Sequence, residues 1–168
     1  VVVSNTSSLS ISEMQTAFKK PERFAGMHFF NPVSKMPLIE VIRGAQTSDE
    51  TVVSVYQFCK KLGKTPIVVK DAPGFLVNRL LMPYLNEATW MLSEGVPVEE
   101  LDQAMLEFGM PMGPMELIDE VGIDVGEKVS KILFIKIPLL LYLKYLKVNF
   151  SFLFLYMLLD KYDYLLLI

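Results

Sequence analysis

The sequence is poor in the side chains that cross-link proteins or hold metals. Among its 168 residues, Cys59 is the single cysteine and His28 the single histidine. One thiol excludes an internal disulfide, and one thiol with one imidazole leaves no cluster of soft ligands for a structural zinc. We therefore expect no metal site and a soluble protein of a reducing compartment, either a bacterial cytoplasm or an organelle matrix.

Excess positive charge and phosphate-binding loops are missing as well. The formal net charge is −3, so no basic surface supports a nucleic-acid partner. Neither G-x-G-x-x-G nor G-x-x-x-x-G-K-[ST] occurs anywhere in the sequence. Because these loops cradle the phosphates of nucleotides, the 168 residues contain no recognisable pyrophosphate site.

Long charge-free apolar runs are missing even from the most apolar part of the sequence. Residues 133–168 use eleven residue types, and their longest charge-free run, Val148–Leu159, has 12 residues. A spanning helix needs roughly 18–20, so we expect no membrane span, although a membrane-associated protein with a natural tail is one reading of residues 132–168. The biased composition, rich in residues with A/T-rich codons, favours translation of a wrong frame or of noncoding sequence.

Residues 1–70 have the pattern of an α/β sheet. Short apolar runs broken by turn residues predict strands at "VVV", "FAGMHFF", "PLIEVI" and "TPIVV". Between the last two, residues 48–63 predict a helix with Ser48 as its N-cap and Gly63 at its end. The first run is typical of the end of a buried parallel strand whose start lies upstream.

Residues 71–131 are typical of a small all-α domain. Apolar residues at helical spacing, bounded by proline and glycine, predict helices within residues 75–95, 97–109 and 113–124. Pro83 is expected to kink the first of these or to break it locally. The predicted fold is therefore α/β followed by all-α, with residues 132–168 as an anomalous hydrophobic tail.

His28 and Glu40 are the two residues whose surroundings are unusual for their type. A lone histidine among Phe and Met is more often a core residue than a catalyst. Glu40 interrupts the apolar strand "PLIEVI", where a carboxylate is costly unless it is paired or faces solvent at an edge. If the two strands are neighbours, the carboxylate orients the imidazole and raises the basicity of its other nitrogen.

Further polar candidates lie beside the predicted strands and helices. The loop "SNTSSL" offers hydroxyls at the carboxyl end of a presumed parallel strand, where open α/β sheets bind ligands. A plain turn explains the same residues. Asn78 either faces solvent or donates a hydrogen bond into the domain interface, and its spacing does not choose between the two.

Four strings together resemble the 3-hydroxyacyl-CoA dehydrogenase family, including the dehydrogenase part of multifunctional fatty-acid-oxidation proteins. They are "SNTSSLSI", "RFAGMHFFNPVSKMPLIEVIRG", "LGKTPIVVKDAPGFLVNRLLMPYLNEA" and "FGMPMGPMELIDEVGID", in the family's order over about residues 1 to 132. The resemblance implies the C-terminal half of a Rossmann-type NAD-binding domain over 1–70. A partial helical domain would follow over 71–131.

The resemblance also implies a role for each candidate residue. His28 matches the catalytic histidine and Glu40 its carboxylate partner. Ser7 and Asn78 match residues that contact the substrate, and Ser7 and Asn31 lie in the cofactor region. The implied reaction is oxidation of (S)-3-hydroxyacyl-CoA to 3-ketoacyl-CoA with NAD in fatty-acid β-oxidation, within a homodimer or a multienzyme complex.

The family's glycine-rich unit would lie upstream of Val1, so by this resemblance the chain is a fragment with little activity alone. A competing hypothesis is a non-catalytic relative that serves as a binding or structural protein. Retention of His28, Glu40, Ser7 and Asn78 together argues against that hypothesis.

Overall fold

The computed structural model describes residues 1–122, which divide into two compact units, residues 1–77 and 78–122. The predicted anomalous tail, residues 132–168, lies outside the described residues. None of the helices within residues 1–122 has the length and apolar character needed to cross a membrane.

The first unit is built on a four-stranded sheet with the spatial order β1-β2-β3-β4. Its elements in chain order are β1 (Val2–Ser4), α1 (Ile11–Gln15), a 3-10 turn (Pro21–Arg23), β2 (Phe24–Phe29), β3 (Leu38–Arg43), α2 (Asp49–Lys61) and β4 (Thr65–Lys70). The pairs β1–β2 and β3–β4 are parallel, whereas β2 and β3 are antiparallel. The predicted α/β class is confirmed.

β1 is less buried than the sequence predicts. Val1, Val2 and Val3 are 54%, 50% and 42% exposed. β1 is the edge strand of the described sheet and pairs only with β2, so its side chains are not enclosed by neighbouring strands. The described residues alone do not enclose this β-branched run, and its burial as the end of a longer strand remains a prediction.

α2 covers one face of the sheet, and its ends are those that the sequence predicts. The Ser48 side chain accepts a hydrogen bond from the Thr51 amide at the N-cap. The buried residues of this face form one core cluster: Ala25, Met27, Ile39, Val41, Val52, Val55 and Cys59. Burial raises the pKa of the Cys59 thiol, so this side chain remains neutral and serves packing.

A second cluster contains residues of α1, which the sequence patterns did not predict. It comprises Ile11, Phe24, Ile42, Val69 and Phe75. α1 spans only five residues, fewer than two helical turns, and so carries too little periodicity to be recognised. Its N-cap Ser10 is bonded to the Glu13 amide, the local signal for a helix start.

Gln15, at the end of α1, is fully buried and holds three segments together. Its Nε2 group donates to the Pro21 carbonyl at 3.0 Å and the Thr47 hydroxyl at 2.9 Å, and its Oε1 accepts from the Gln46 amide at 3.1 Å. Thr47 in turn donates to the Phe24 carbonyl at 2.7 Å. This network fixes the segment before β2 and the turn after β3 relative to α1.

The second unit consists of helices, which confirms the predicted change to an all-α segment. They are α3 (Val77–Ser93), α4 (Val98–Phe108) and α5 (Pro114–Val121). α3 runs through Pro83 as one helix, so of the two expected effects the local break is absent and the kink remains a prediction. Asp102 of α4 accepts from the amides of Met115 and Glu116 at the start of α5, and Ala88, Leu101 and Met115 form the core.

We expect Gln15→Ala to destabilise the chain by about 2–3 kcal/mol, because it leaves buried polar partners without a hydrogen bond. The measurement is the free energy of unfolding in urea. Gln57→Ala removes the same amide from an exposed position of α2 and should change stability by less than about 0.5 kcal/mol. Equal losses in the two variants would show that the network contributes nothing.

Candidate active site

The register of β2 and β3 places His28 directly opposite Glu40. Side chains of opposed residues in an antiparallel pair project from the same face of the sheet. The two therefore meet, and His28 Nδ1 lies 2.7 Å from Glu40 Oε2. The strand pairing that the sequence left open is thus the one that brings these two residues together.

Both members of the pair are enclosed by the protein. His28 is 4% exposed and Glu40 is 0% exposed. β3 lies between β2 and β4, so the alternative of a solvent-facing Glu40 on an edge strand is wrong. A buried carboxylate is stable only when its oxygens are hydrogen-bonded, so the surroundings of Glu40 determine what the pair can do.

The second oxygen of Glu40 is held by the backbone. Oε1 accepts from the amides of Leu76 and Val77, each at 2.9 Å. These N–H groups lie at the start of α3, where amides lack partners within the helix and the helix dipole favours a negative charge. The Glu40 side chain thus has three hydrogen-bond partners, and the two backbone N–H groups among them can only donate to it.

Sequence reasoning did not find these two amide donors. The signal that precedes them is the turn "DAPGF" immediately before a helical pattern. Gly74 and Phe75 both have left-handed backbone conformations, with φ of 73° and 48°. This local geometry cannot be read from residue types alone, because Phe rarely adopts it.

Aromatic rings surround the imidazole. The ring centroid of His28 is 4.6 Å from that of Phe30 and 5.7 Å from that of Phe75. Nδ1 is engaged by Glu40, and a carboxylate at this nitrogen favours the tautomer with its proton on Nδ1. The lone pair is then on Nε2, which makes that atom a proton acceptor for a bound substrate.

Ser7 and Asn31 lie on loops at the same edge of the sheet as the end of β2. β1 and β2 are parallel, so the loops that leave them, carrying Ser7 and Asn31, start from the same edge. The Phe29 amide donates to Asn5 Oδ1 at 3.3 Å, which joins the loop after β1 to the end of β2. Ser7 and Asn31 are both exposed, and their binding roles remain predictions.

Asn78 directly follows Val77, whose amide donates to Glu40. It is the second residue of α3 and belongs to the second compact unit. Its role in binding substrate therefore also remains a prediction.

Two family models match the chain. The model described as "3-hydroxyacyl-CoA dehydrogenase, NAD binding domain" matches residues 1–72, and "3-hydroxyacyl-CoA dehydrogenase, C-terminal domain" matches residues 74–139. The chain belongs to the 3-hydroxyacyl-CoA dehydrogenase family. The resemblance seen in the sequence is confirmed, and with it the assignment of the first segment to an NAD-binding domain. The predicted boundary after residue 70 remains a prediction.

Two curated relatives that this chain resembles are bacterial. The fatty acid oxidation complex subunit alpha of Vibrio cholerae is 53% identical over 133 residues, which are 79% of this chain and 19% of the relative. The subunit of the same name from Shewanella putrefaciens is 56% identical over 133 residues, with the same shares. The chain thus spans 19% of the length of these relatives.

Solved structures of the same family share the fold. The (S)-3-hydroxybutyryl-CoA dehydrogenase of Ralstonia eutropha matches with a TM-score of 0.77 and 47% identity, over 81% of this chain and 49% of that chain. The 3-hydroxybutyryl-CoA dehydrogenase of Escherichia coli K12 matches with a TM-score of 0.74 and 42% identity, over 80% of this chain and 29% of that one.

We expect the neutral imidazole of His28 to carry its proton on Nδ1, and Glu40→Gln to move that proton to Nε2. In the variant, the amide oxygen still accepts from Leu76 and Val77, so the NH₂ group faces Nδ1 and requires a lone pair there. Nitrogen-15 NMR of the imidazole measures the tautomer, and the single histidine makes the signals unambiguous.

Glu50→Gln is the matched control, because Glu50 is exposed on α2. It should leave both nitrogen signals of His28 unchanged. An Nε2–H tautomer in the unmodified chain would contradict the assigned direction of the His28–Glu40 hydrogen bond.

Proposed function

We propose that this chain supplies the proton-transfer part of an NAD-dependent (S)-3-hydroxyacyl-CoA dehydrogenase of fatty-acid β-oxidation. The observation that supports it is the buried contact of His28 Nδ1 with Glu40 Oε2 at 2.7 Å. A general base for an alcohol needs a free lone pair, a fixed orientation and a partner that stabilises its protonated form. The 2.7 Å contact with Glu40 supports a fixed orientation of the imidazole, and a carboxylate at Nδ1 would leave the lone pair on Nε2 and stabilise the imidazolium.

In the oxidation, His28 Nε2 takes the proton of the C3 hydroxyl while the hydrogen on C3 leaves as hydride. When bound, NAD supplies the hydride acceptor at its nicotinamide ring. The C3–O bond becomes the ketone, and Glu40 stabilises the imidazolium that forms. In the reverse direction, His28 returns its proton to the ketone oxygen. Such general-base catalysis contributes about 10²–10⁴-fold in rate.

The residues present fit part of an NAD site. Ser7 and Asn31 are exposed on the loops after β1 and β2, at the sheet edge where open α/β folds bind their ligands. We assign both to contacts with the cofactor, and Ser7 together with Asn78 to the substrate near its reacting oxygen. The pyrophosphate has no glycine-rich loop to bind within these 168 residues.

The substrate and the assembly follow from the relatives' names. Because the Vibrio and Shewanella relatives are subunits of a fatty acid oxidation complex, we propose an acyl-CoA substrate and a homodimeric or multienzyme assembly in a bacterial cytoplasm. The division into residues 1–70, 71–131 and 132–168 is proposed on the composition changes described above.

We expect the purified 168-residue chain to show no detectable NADH oxidation with acetoacetyl-CoA. Its sequence lacks a pyrophosphate-binding loop, so the cofactor would not be held against His28. The measurement is loss of NADH absorbance with time. Turnover by the chain alone would contradict this expectation.

A chimera tests the catalytic role itself. In it, this chain's residues replace the matching 133-residue segment of the Vibrio cholerae subunit. We expect the chimera to oxidise NADH with acetoacetyl-CoA, and His28→Gln within it to lower kcat by about 10²–10⁴-fold. Gln57→Ala, on the exposed side of α2, is the control and should retain the rate. A folded but inactive chimera would favour the non-catalytic alternative.

A further inference from the structure

The segment between β4 and α3 has an unusual backbone at Phe75. Among residues 1–122, Phe75 is the one non-glycine residue with a positive φ, 48°, and it follows Gly74 at 73°. A side chain in this left-handed region is disfavoured and persists only where its surroundings enforce it. Contacts around Phe75 must therefore stabilise its positive φ.

Two sets of contacts enforce this conformation. The Phe75 ring is 3% exposed and packs in the cluster that includes Ile11, Phe24 and Ile42. The start of the segment is fixed by Asp71, whose Oδ2 accepts from the Ser10 hydroxyl and the Ser12 amide, each at 2.7 Å. The segment thus has an anchored start and a buried ring at its turning point.

The turn at Phe75 delivers the next two amides to Glu40. The N–H groups of Leu76 and Val77 both reach Oε1 at 2.9 Å. Consecutive free amides at a helix N-terminus can converge on one acceptor, and the turn at Phe75 sets the direction in which this helix start points. The Phe75 ring also lies 5.7 Å from the imidazole of His28, centroid to centroid. One residue therefore adjoins both members of the pair.

We propose that Phe75 is a positioning residue for the His28–Glu40 pair. Its buried ring holds the left-handed turn that directs two amides onto Glu40, and the same ring restrains the His28 imidazole. This inference rests on the proposed function for its catalytic meaning. The positioning itself depends only on hydrogen bonds and packing within this chain, so it can be measured without enzyme activity.

A comparison of Phe75→Leu with Phe24→Leu tests the proposal in the complete chain. Both wild-type residues are 3% exposed and belong to the same cluster, so both variants lose a buried ring of the same size. The Phe24 ring packs against Phe18, with 4.4 Å between centroids and a tilt of 31° between the rings. Two quantities are measured by NMR: hydrogen exchange of the Leu76 and Val77 amides, relative to the Val41 amide of β3, and the tautomer of His28.

In Phe75→Leu we expect the two amides to exchange about tenfold faster relative to Val41, and the share of the Nδ1–H tautomer of His28 to fall. In Phe24→Leu we expect no change in the exchange of these two amides relative to Val41 and no change in the His28 tautomer. This holds even if Phe24→Leu lowers the overall stability as much as Phe75→Leu does. Equal responses in the two variants, or no response in Phe75→Leu, would overturn the proposal.

A second variant covers the case in which Phe75→Leu does not fold. Phe75→Met has about the same side-chain volume as Phe75→Leu, but its unbranched, flexible chain adapts better to the space left by the ring. It also lacks the ring, so it should show the same faster exchange and tautomer change. Unchanged exchange in Phe75→Met would refute the proposal. These measurements need no turnover, so an inactive chimera would contradict the proposed function and leave this result unaffected.

Discussion

The carboxylate of Glu40 is the group on which the site depends. A fully buried charge costs several kcal/mol unless hydrogen bonds replace its water. Here the replacement comes from different parts of the first unit, which ends at Val77: the imidazole of His28 bonds to Oε2, and the amides of Leu76 and Val77 bond to Oε1. The arrangement holds only while the β2–β3 register and the Phe75 turn are both maintained.

This requirement links packing to chemistry. Both faces of β2 and β3 are buried, and alternate residues enter the two core clusters. A shift of one residue in the register that pairs His28 with Glu40 would exchange these two sets of side chains. The α2 cluster covers one side of the sheet, while α1 and Phe75 belong to a second cluster. Core packing therefore determines whether the imidazole has a fixed tautomer.

Much of this architecture could be predicted from the sequence, and the failures have physical causes. α2 and the three helices of the second unit have strong periodicity and end signals, and they occur where expected. α1 has only five residues and is too short to show a period. Glu40 was recognised as costly, but its backbone donors depend on the conformation of Phe75.

The most direct test of the link between Glu40 and His28 is the kcat of the double variant His28→Gln/Glu40→Gln in the chimera, set beside the two single variants. If Glu40 acts only through the imidazole, its replacement should slow the enzyme when His28 is present. With His28 already replaced, it should change the rate by less than about threefold, the non-additivity of residues that act as a unit. Losses that multiply would show that Glu40 acts independently and would contradict the mechanism.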